Sequence, residues 1–234
     1  MLCEGERCPH LDERGLCRII LNAGEENLCN ICREHPRFYN HTRVAEVGLG
    51  MACREAARLI LSSPNYSDME VVGETDDVDD DACIDGIAER EATFDILSDK
   101  TCDYEARLKR IYRKYGIDAG EDSDWIDMLD SLEYLEASHR ALFAQYSSKK
   151  RPAGADVYLE RALAYFIYRQ CTEAYDDEDL RSRLSFCLFC ERLLASLICA
   201  RGASTLEEIA ELASIISEEL EYSDDNTEAL TYCM

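Results

Sequence analysis

The sequence predicts an all-α protein, a helical bundle with a small N-terminal cysteine-rich metal-binding module. Three observations indicate this fold class: apolar residues recur at helical spacing after about residue 86, no convincing run of alternating strand residues occurs, and six of the thirteen cysteines fall within the first 53 residues. With 234 residues, 47% of them hydrophobic, the chain has enough apolar surface for a core, which excludes global disorder. We expect the module at 1–62, an acidic linker at 63–86 and the bundle at 87–234.

The module is predicted to contain short irregular segments followed by one helix. Gly15 lies between two short stretches and predicts a tight turn in a small hairpin-like ribbon. Pro36 favours extended or irregular backbone before it. The string MACREAARLIL at 51–61 is rich in helix formers with apolar residues at helical spacing, and Pro64 ends that pattern.

The linker contains the acidic run ETDDVDDD at 74–81. Because like charges repel one another along this run, we expect a solvated, mobile loop. A calcium-binding loop is the alternative, but the run lacks the alternating ligands and central glycine of an EF-hand.

The remainder of the chain predicts a succession of helices. Cys187 and Cys190 form a C-x2-C pair inside an apolar helical stretch, so we interpret both, with Cys171 and Cys199, as core residues. The last long helix begins at Ser204 or Thr205 with a capping box closed by Glu207 or Glu208, and residues 222–226 form a turn after it. Helices are predicted at 103–115 (ended by Gly116), from 123 to about 146, at 157–168 and at 180–197.

Charge and hydropathy exclude two classes of partner. The formal net charge is −24, of which residues 1–58 carry −1, with eight Arg, no Lys and nine Asp or Glu. A surface this acidic repels phosphate backbones, so we expect no nucleic-acid binding. No run of about 18 apolar residues exists, so we expect no membrane span. The first residues show no secretory signal, and we therefore expect a cytoplasmic protein.

The cysteines of the module predict a metal site. Cys8, Cys17, Cys32 and Cys53 are spaced C-x8-C-x14-C-x20-C, and Cys29 forms a C-x2-C pair with Cys32. Four thiolates can close one site, and soft thiolates select zinc, copper(I) or an iron–sulfur cluster. The spacing does not distinguish among these metals. It also leaves open whether Cys29 or Cys53 is the fourth ligand. Reduced thiols without a metal are the other interpretation.

Several segments resemble the flagellin lysine-N-methylase family. They are CPHLDERGLCRI at 8–19, CREHPRFYN at 32–40, EVGLG at 46–50, CREAARLIL at 53–61 and, near the end, EYSDDN at 221–226. The matching motif includes Cys8, Cys17, Cys32 and Cys53. The family pattern also has an upstream C-x3-C-C segment, which the printed residues before Cys8 lack.

The resemblance implies an enzyme, a protein-lysine N-methyltransferase that acts on the lysine ε-amino groups of flagellin. It further implies S-adenosylmethionine as the methyl donor and an iron–sulfur cluster on the cysteines, with zinc as the alternative metal. Methyl transfer needs a neutral amine, and acidic or tyrosine side chains can bind and deprotonate the incoming ammonium. The candidate catalytic residues are Tyr39, Tyr222 and Asp224, while no glycine-rich loop marks the cofactor-binding residues. A non-catalytic metal-binding or interaction module is the second hypothesis.

Overall fold

A computed structural model describes residues 8–74, 84–118, 120, 122–148 and 151–232. Within these residues the chain forms eleven α-helices and one two-stranded antiparallel sheet, so the described part is mostly helical. The expectation of a mostly helical protein is therefore confirmed, and the sheet is the departure from it. Most of the predicted acidic loop, residues 75–83, lies outside the described residues.

Within the described residues, two short α-helices precede the two strands and nine α-helices follow them. In order they are α1 (Arg18–Ala23), a 3₁₀ turn (Glu25–Asn27), α2 (Asn30–Glu34), β1 (Arg37–His41), β2 (Ala45–Leu49), α3 (Arg54–Ser62), α4 (Gly86–Ser98), α5 (Tyr104–Tyr115), α6 (Asp122–Ser131), α7 (Ala137–Phe143), α8 (Asp156–Cys171), α9 (Asp177–Arg201), α10 (Leu206–Glu221) and α11 (Asp224–Tyr232).

Helices α8 and α9 pack against each other at the centre of the fold. Helix α9 is buried along most of its length, as expected of a helix that is apolar all round, and α10, α3 and α4 pack around the pair. Trp125 of α6 stacks on Phe189 of α9 with ring centroids 3.9 Å apart. None of the helices in the described part is long and apolar enough to cross a bilayer.

Local signals fix the ends of several helices where the sequence predicts them. Thr205 caps α10 and forms a capping box with Glu208, as predicted. Asp103 accepts a hydrogen bond from the backbone N–H of Ala106 and caps α5. Gly116 ends α5 in the left-handed conformation, with φ of 63°.

The predicted helix from 123 to about 146 is interrupted in the structure. Asn226 of α11 accepts a hydrogen bond from the backbone N–H of Glu133 at 3.0 Å and donates one to its carbonyl at 2.7 Å. The buried carboxylate of Glu219 accepts the N–H of Leu135 at 2.9 Å. These contacts replace the helical hydrogen bonds of 132–136, so distant residues impose a break that the local periodicity does not show.

The predicted turn at Gly15 is confirmed. Gly15 has a positive φ of 81°, and the Asp12 carboxylate accepts a hydrogen bond from the N–H of Leu16 at 2.9 Å. An isolated antiparallel bridge joins Leu11 to Cys17 across this turn. The hairpin-like ribbon is thus present in a minimal form.

The β1–β2 hairpin was missing from the sequence prediction. Its register runs from Arg37 opposite Leu49 to His41 opposite Ala45. One inward position of β1 is Asn40, which is buried and donates to the Tyr168 carbonyl at 3.1 Å. Because a polar residue occupies an inward position, β1 shows no apolar alternation from which a strand can be recognised.

Candidate functional site

The five cysteines of the predicted metal site lie at the surface, on turns and helix starts. Cys17, Cys29 and Cys53 are the N-cap residues of α1, α2 and α3, while Cys32 lies within α2 and Cys8 in the preceding loop. Cys8, Cys29 and Cys32 are exposed, and Cys17 and Cys53 are half-buried. All five thiols are free, as a metal site requires.

Cys29 and Cys32 interact directly, and two further thiols act on them. The backbone N–H of Cys32, and then its thiol, stabilise the Cys29 thiolate and lower the pKa of Cys29. The neighbouring Cys29 raises the pKa of Cys32 by its hydrogen bond and its charge, and Cys8 and Cys17 add to this increase through their charges. The structure therefore brings Cys8, Cys17, Cys29 and Cys32 into one neighbourhood.

Cys53 lies at the open end of the hairpin. The chain enters the hairpin after Cys32 and leaves it before Cys53, and the N–H of Gly50 donates to the carbonyl of Pro36 at 2.5 Å across this end. Among the described residues, no three His, Cys, Asp or Glu side chains converge on a single metal position. The chemistry of the donor set, several free thiols on short loops, fits a thiophilic metal or cluster.

Tyr39 forms a pair with Glu34 on the cysteine side of the hairpin. The Tyr39 hydroxyl donates to the Glu34 carboxylate at 2.6 Å, and this hydrogen bond raises the pKa of Tyr39 and lowers that of Glu34. Glu34 therefore stays ionised beside an aromatic ring, two residues after Cys32. The sequence analysis missed Glu34, although its position just before the Pro36 turn places it close to Tyr39.

Tyr222 lies on the opposite face of the hairpin, against the bundle. Its ring is half-exposed and carries the Arg169 guanidinium 5.0 Å from its centroid. A Cβ on Gly50 would stand 2.5 Å from the Tyr222 hydroxyl, so only glycine permits this approach. Asp224 is the first residue of α11, and its side chain lies outside the described part.

Tyr39 and Tyr222 lie on opposite sides of the hairpin, because successive side chains of β1 point to opposite faces. Phe38 packs against Tyr165 and Tyr168 of α8, with ring centroids 6.3 and 5.5 Å apart. Neighbouring residues of a strand point to opposite faces, so Tyr39 points away from the bundle. The structure thus joins Tyr222 with Arg169 and Tyr39 with Glu34, on opposite sides of the hairpin.

A buried ion pair fixes the bundle side of this junction. Glu221 of α10 is ion-paired with Arg169 of α8 at 3.2 Å and accepts hydrogen bonds from Tyr165 at 3.0 Å and Ser217 at 2.5 Å. Burial acts to lower the pKa of Arg169, but the interactions with Glu221, Tyr165 and Tyr222 together outweigh it and the pKa is raised. The Tyr165 hydroxyl also accepts the N–H of Met51 at 2.9 Å, which ties the segment after the hairpin to α8.

Comparison with known proteins supports the resemblance over a limited stretch. The chain is 40% identical over 60 residues to the flagellar biosynthetic protein FliU of Salmonella muenchen. It is also 40% identical over 60 residues to lysine-N-methylases of Salmonella typhimurium and Salmonella choleraesuis. Each match covers 25% of this chain, 35% of FliU and 15% of each lysine-N-methylase. No family model matches the chain, and no solved structure matches it.

Proposed function

We propose that this protein is a methyltransferase-like protein that methylates lysine ε-amino groups of flagellin. The observation that carries the proposal is the similarity to proteins named lysine-N-methylase. The free thiols and the Tyr39–Glu34 pair beside Cys32 supply the chemistry that such a protein needs. The proposed methyl donor is S-adenosylmethionine, and the proposed resident group is an iron–sulfur cluster, with zinc as the alternative.

Glu34 and Tyr39 form the proposed contact for the substrate lysine. The ionised Glu34 carboxylate binds the ammonium while one of its oxygens accepts the hydrogen bond of the Tyr39 hydroxyl. Tyr39 already donates its proton to Glu34 and its pKa is raised, so it acts as a hydrogen-bond donor and not as the base. Tyr222 lies on the opposite side of the hairpin from this contact, so Glu34 itself is the proposed acceptor of the ammonium proton, while Asp224 stays a predicted residue.

The reaction itself forms one bond and breaks another. Bound S-adenosylmethionine supplies an electrophilic methyl group. The lysine nitrogen, once it has lost a proton, forms the N–C bond while the C–S bond breaks and the sulfur keeps the electron pair. The protein contributes by placing the amine in line with the methyl group and by removing its proton.

The proposed cluster would be held by Cys8, Cys17 and Cys32, with Cys29 or Cys53 as the fourth ligand. The contact between Cys29 and Cys32 favours Cys29 over Cys53. When bound, the metal or cluster would link loops of the module that bury few side chains. The lowered pKa of Cys29 favours its thiolate, the form that binds a metal.

The first test is anaerobic purification of the full chain, followed by an absorption spectrum and assays for iron, acid-labile sulfide and zinc. Near-stoichiometric iron and sulfide support the cluster. Zinc without sulfide supports a structural thiolate site and the non-catalytic hypothesis. Cys29→Ser is expected to abolish retention of the metal, whereas Cys102→Ser, a half-buried thiol outside the module, leaves it unchanged. If Cys29→Ser retains as much metal as the wild type and Cys53→Ser loses its metal, Cys53 and not Cys29 is the fourth ligand.

The second test measures methylation of purified flagellin with labelled S-adenosylmethionine. We expect Glu34→Gln to lower the rate about tenfold, because the carboxylate that holds the ammonium loses its charge. Glu55→Gln is the matched control, since Glu55 is likewise an exposed carboxylate paired with an arginine. Metal-loaded wild-type protein that binds flagellin and transfers no methyl group would overturn the catalytic proposal.

A further inference from the structure

A second candidate site lies in the bundle, apart from the cysteine module. A broad cavity of about 1050 Å³ opens between α5, α9 and described residues on either side of the α6–α7 region, within 116–120 and at Ser148 and Arg151. Its volume is at the upper end of the range for small-molecule sites. Leu108, Tyr112 and Ile117 supply apolar surface, while Arg113 and Glu191 are among its charged residues. None of its described lining residues belongs to the hairpin or to the cysteine module.

Glu191 is a buried carboxylate of this cavity that is only half satisfied. Its side chain is 1% exposed, and its Oε1 accepts hydrogen bonds from Arg151 at 2.6 Å and from the Tyr104 hydroxyl at 3.2 Å. Its Oε2 has no hydrogen-bond partner among the described residues. Burial raises the pKa of Glu191, and Arg151 opposes that increase. A buried carboxylate oxygen that accepts no hydrogen bond costs free energy. A cationic donor such as an ammonium group stabilises it most, because that hydrogen bond is charge-assisted.

Arg113 presents the opposite charge on the wall of the same cavity. It is exposed on α5 and has no ion pair or hydrogen bond within the described part of the chain. Its neighbour on the same helix, Lys109, is already paired with Glu105 at 2.6 Å. Arg151 and Arg192 are held by Glu191 and by the Tyr146 hydroxyl, respectively. Among the lining residues that the structure describes, Arg113 is therefore the cation available to bind an anion.

We propose that this cavity binds a free α-amino acid. The ligand ammonium donates to Glu191 Oε2, the ligand carboxylate accepts from Arg113, and the side chain packs against Tyr112 and Leu108. Arg151 is a third exposed and is ion-paired with Glu191 at 2.6 Å, and the proposal requires its side chain to shift when the ligand enters. The proposal is independent of methyl transfer and of the cysteine module.

The test is isothermal titration calorimetry of the full chain with each proteinogenic L-amino acid in turn. At least one is expected to bind, and its N-acetyl form, which lacks the ammonium, and its amide, which lacks the carboxylate, are expected to lose that binding. We expect Arg113→Ala and Glu191→Gln to weaken binding about tenfold or more. Lys114→Ala is the matched control, because Lys114 lies on the same helix, outside the cavity, paired with Glu89.

Several results would overturn the proposal. They are the absence of binding by every amino acid, equal binding of the N-acetyl form, and unchanged binding by Arg113→Ala. Arg113 is exposed and without partners in the described residues, so its alanine variant tests the site even if Glu191→Gln fails to fold. Binding of inorganic phosphate with the same affinity as the amino acid would also contradict it, since phosphate offers nothing to Glu191.

Discussion

The cysteine module and the bundle use the same side chain in two opposite ways. In the module, Cys8, Cys29 and Cys32 are exposed, and the pKa of Cys29 is lowered. In the bundle, Cys187 and Cys190 are fully buried, and burial raises the pKa of both thiols well above the usual value. A solvent-exposed cysteine that accepts a hydrogen bond from a backbone N–H forms a thiolate more readily. A cysteine in the core packs as a small apolar group.

The two regions also differ in what stabilises them. Helices α8 and α9 contribute a continuous apolar core, whereas α1 and α2 bury no residue completely. Backbone hydrogen bonds, ion pairs and the hairpin contacts with α8 hold the α1–α2 part of the module in place, and only α3 with Met51 joins the core. The energetic consequences of mutation should therefore differ sharply between the two regions.

The largest expected effect is that of a core truncation. Leu163→Ala removes a fully buried side chain from α8 and should lower the free energy of unfolding by about 2–5 kcal/mol. Ile31→Ala in α2 removes a side chain that is 83% exposed and should change it by less than about 0.5 kcal/mol. Urea unfolding followed by circular dichroism measures both, and equal losses would contradict the comparison.

A smaller loss is expected at the junction of the two regions. Gly50→Ala places a Cβ 2.5 Å from the Tyr222 hydroxyl and 3.0 Å from the Pro36 carbonyl, so one of them must move. We expect a loss of about 1–3 kcal/mol, measured by thermal unfolding. Gly73→Ala, whose Cβ meets nothing within 4 Å, is the control and should be nearly neutral. A neutral Gly50→Ala would show that the hairpin does not depend on this close approach.

The free energy of unfolding is expected to depend on pH through Glu160, a buried carboxylate of the bundle. Burial acts to raise the pKa of Glu160, but hydrogen bonds from Lys100, Arg107 and Tyr66 outweigh it and the pKa is lowered below 4.5. The stability that Glu160 contributes is therefore present above pH 4.5 and is lost as the pH falls. In Glu160→Gln we expect a shallower loss of stability between about pH 5 and 3. An unchanged acid limb would contradict this role.

Thiol labelling compares the reactivity of the module and bundle cysteines in the folded protein. With iodoacetamide at neutral pH and no metal, we expect Cys29 to react first among the described cysteines, because its pKa is lowered. Cys187 and Cys190 should react only after denaturation. Peptide mass spectrometry over time distinguishes the sites. Labelling of Cys187 as fast as that of Cys29 would refute the difference in exposure and pKa.

Helix boundaries were predictable because they depend on neighbouring residues. The capping box of Thr205 and the stop at Gly116 both lie within one turn of what they control. The break between α6 and α7 depends on Asn226, which lies more than 90 positions from Glu133 along the chain. The pairing of Arg37 with Leu49 depends on contacts of the hairpin with α8, which no local pattern reveals.

The candidate site was predictable to a similar extent. Residue type and spacing predict the thiols, and the family resemblance suggests Tyr39; both stay predictions. The partners of these residues were not visible, because Glu34 joins Tyr39 across the Pro36 turn and Arg169 meets Tyr222 only in the folded bundle. The free oxygen of Glu191 likewise requires the fold to be seen.

The docking of the hairpin on α8 has a consequence for cutting and transplanting the chain. Asn40 donates to the Tyr168 carbonyl, the N–H of His41 donates to Glu173, and α3 packs on α10. A fragment that ends at residue 62 leaves these donors and the Leu61 side chain without their partners. A portable version of the cysteine module must therefore carry α8 and α10 with it, although more than 90 residues of sequence separate them from the thiols.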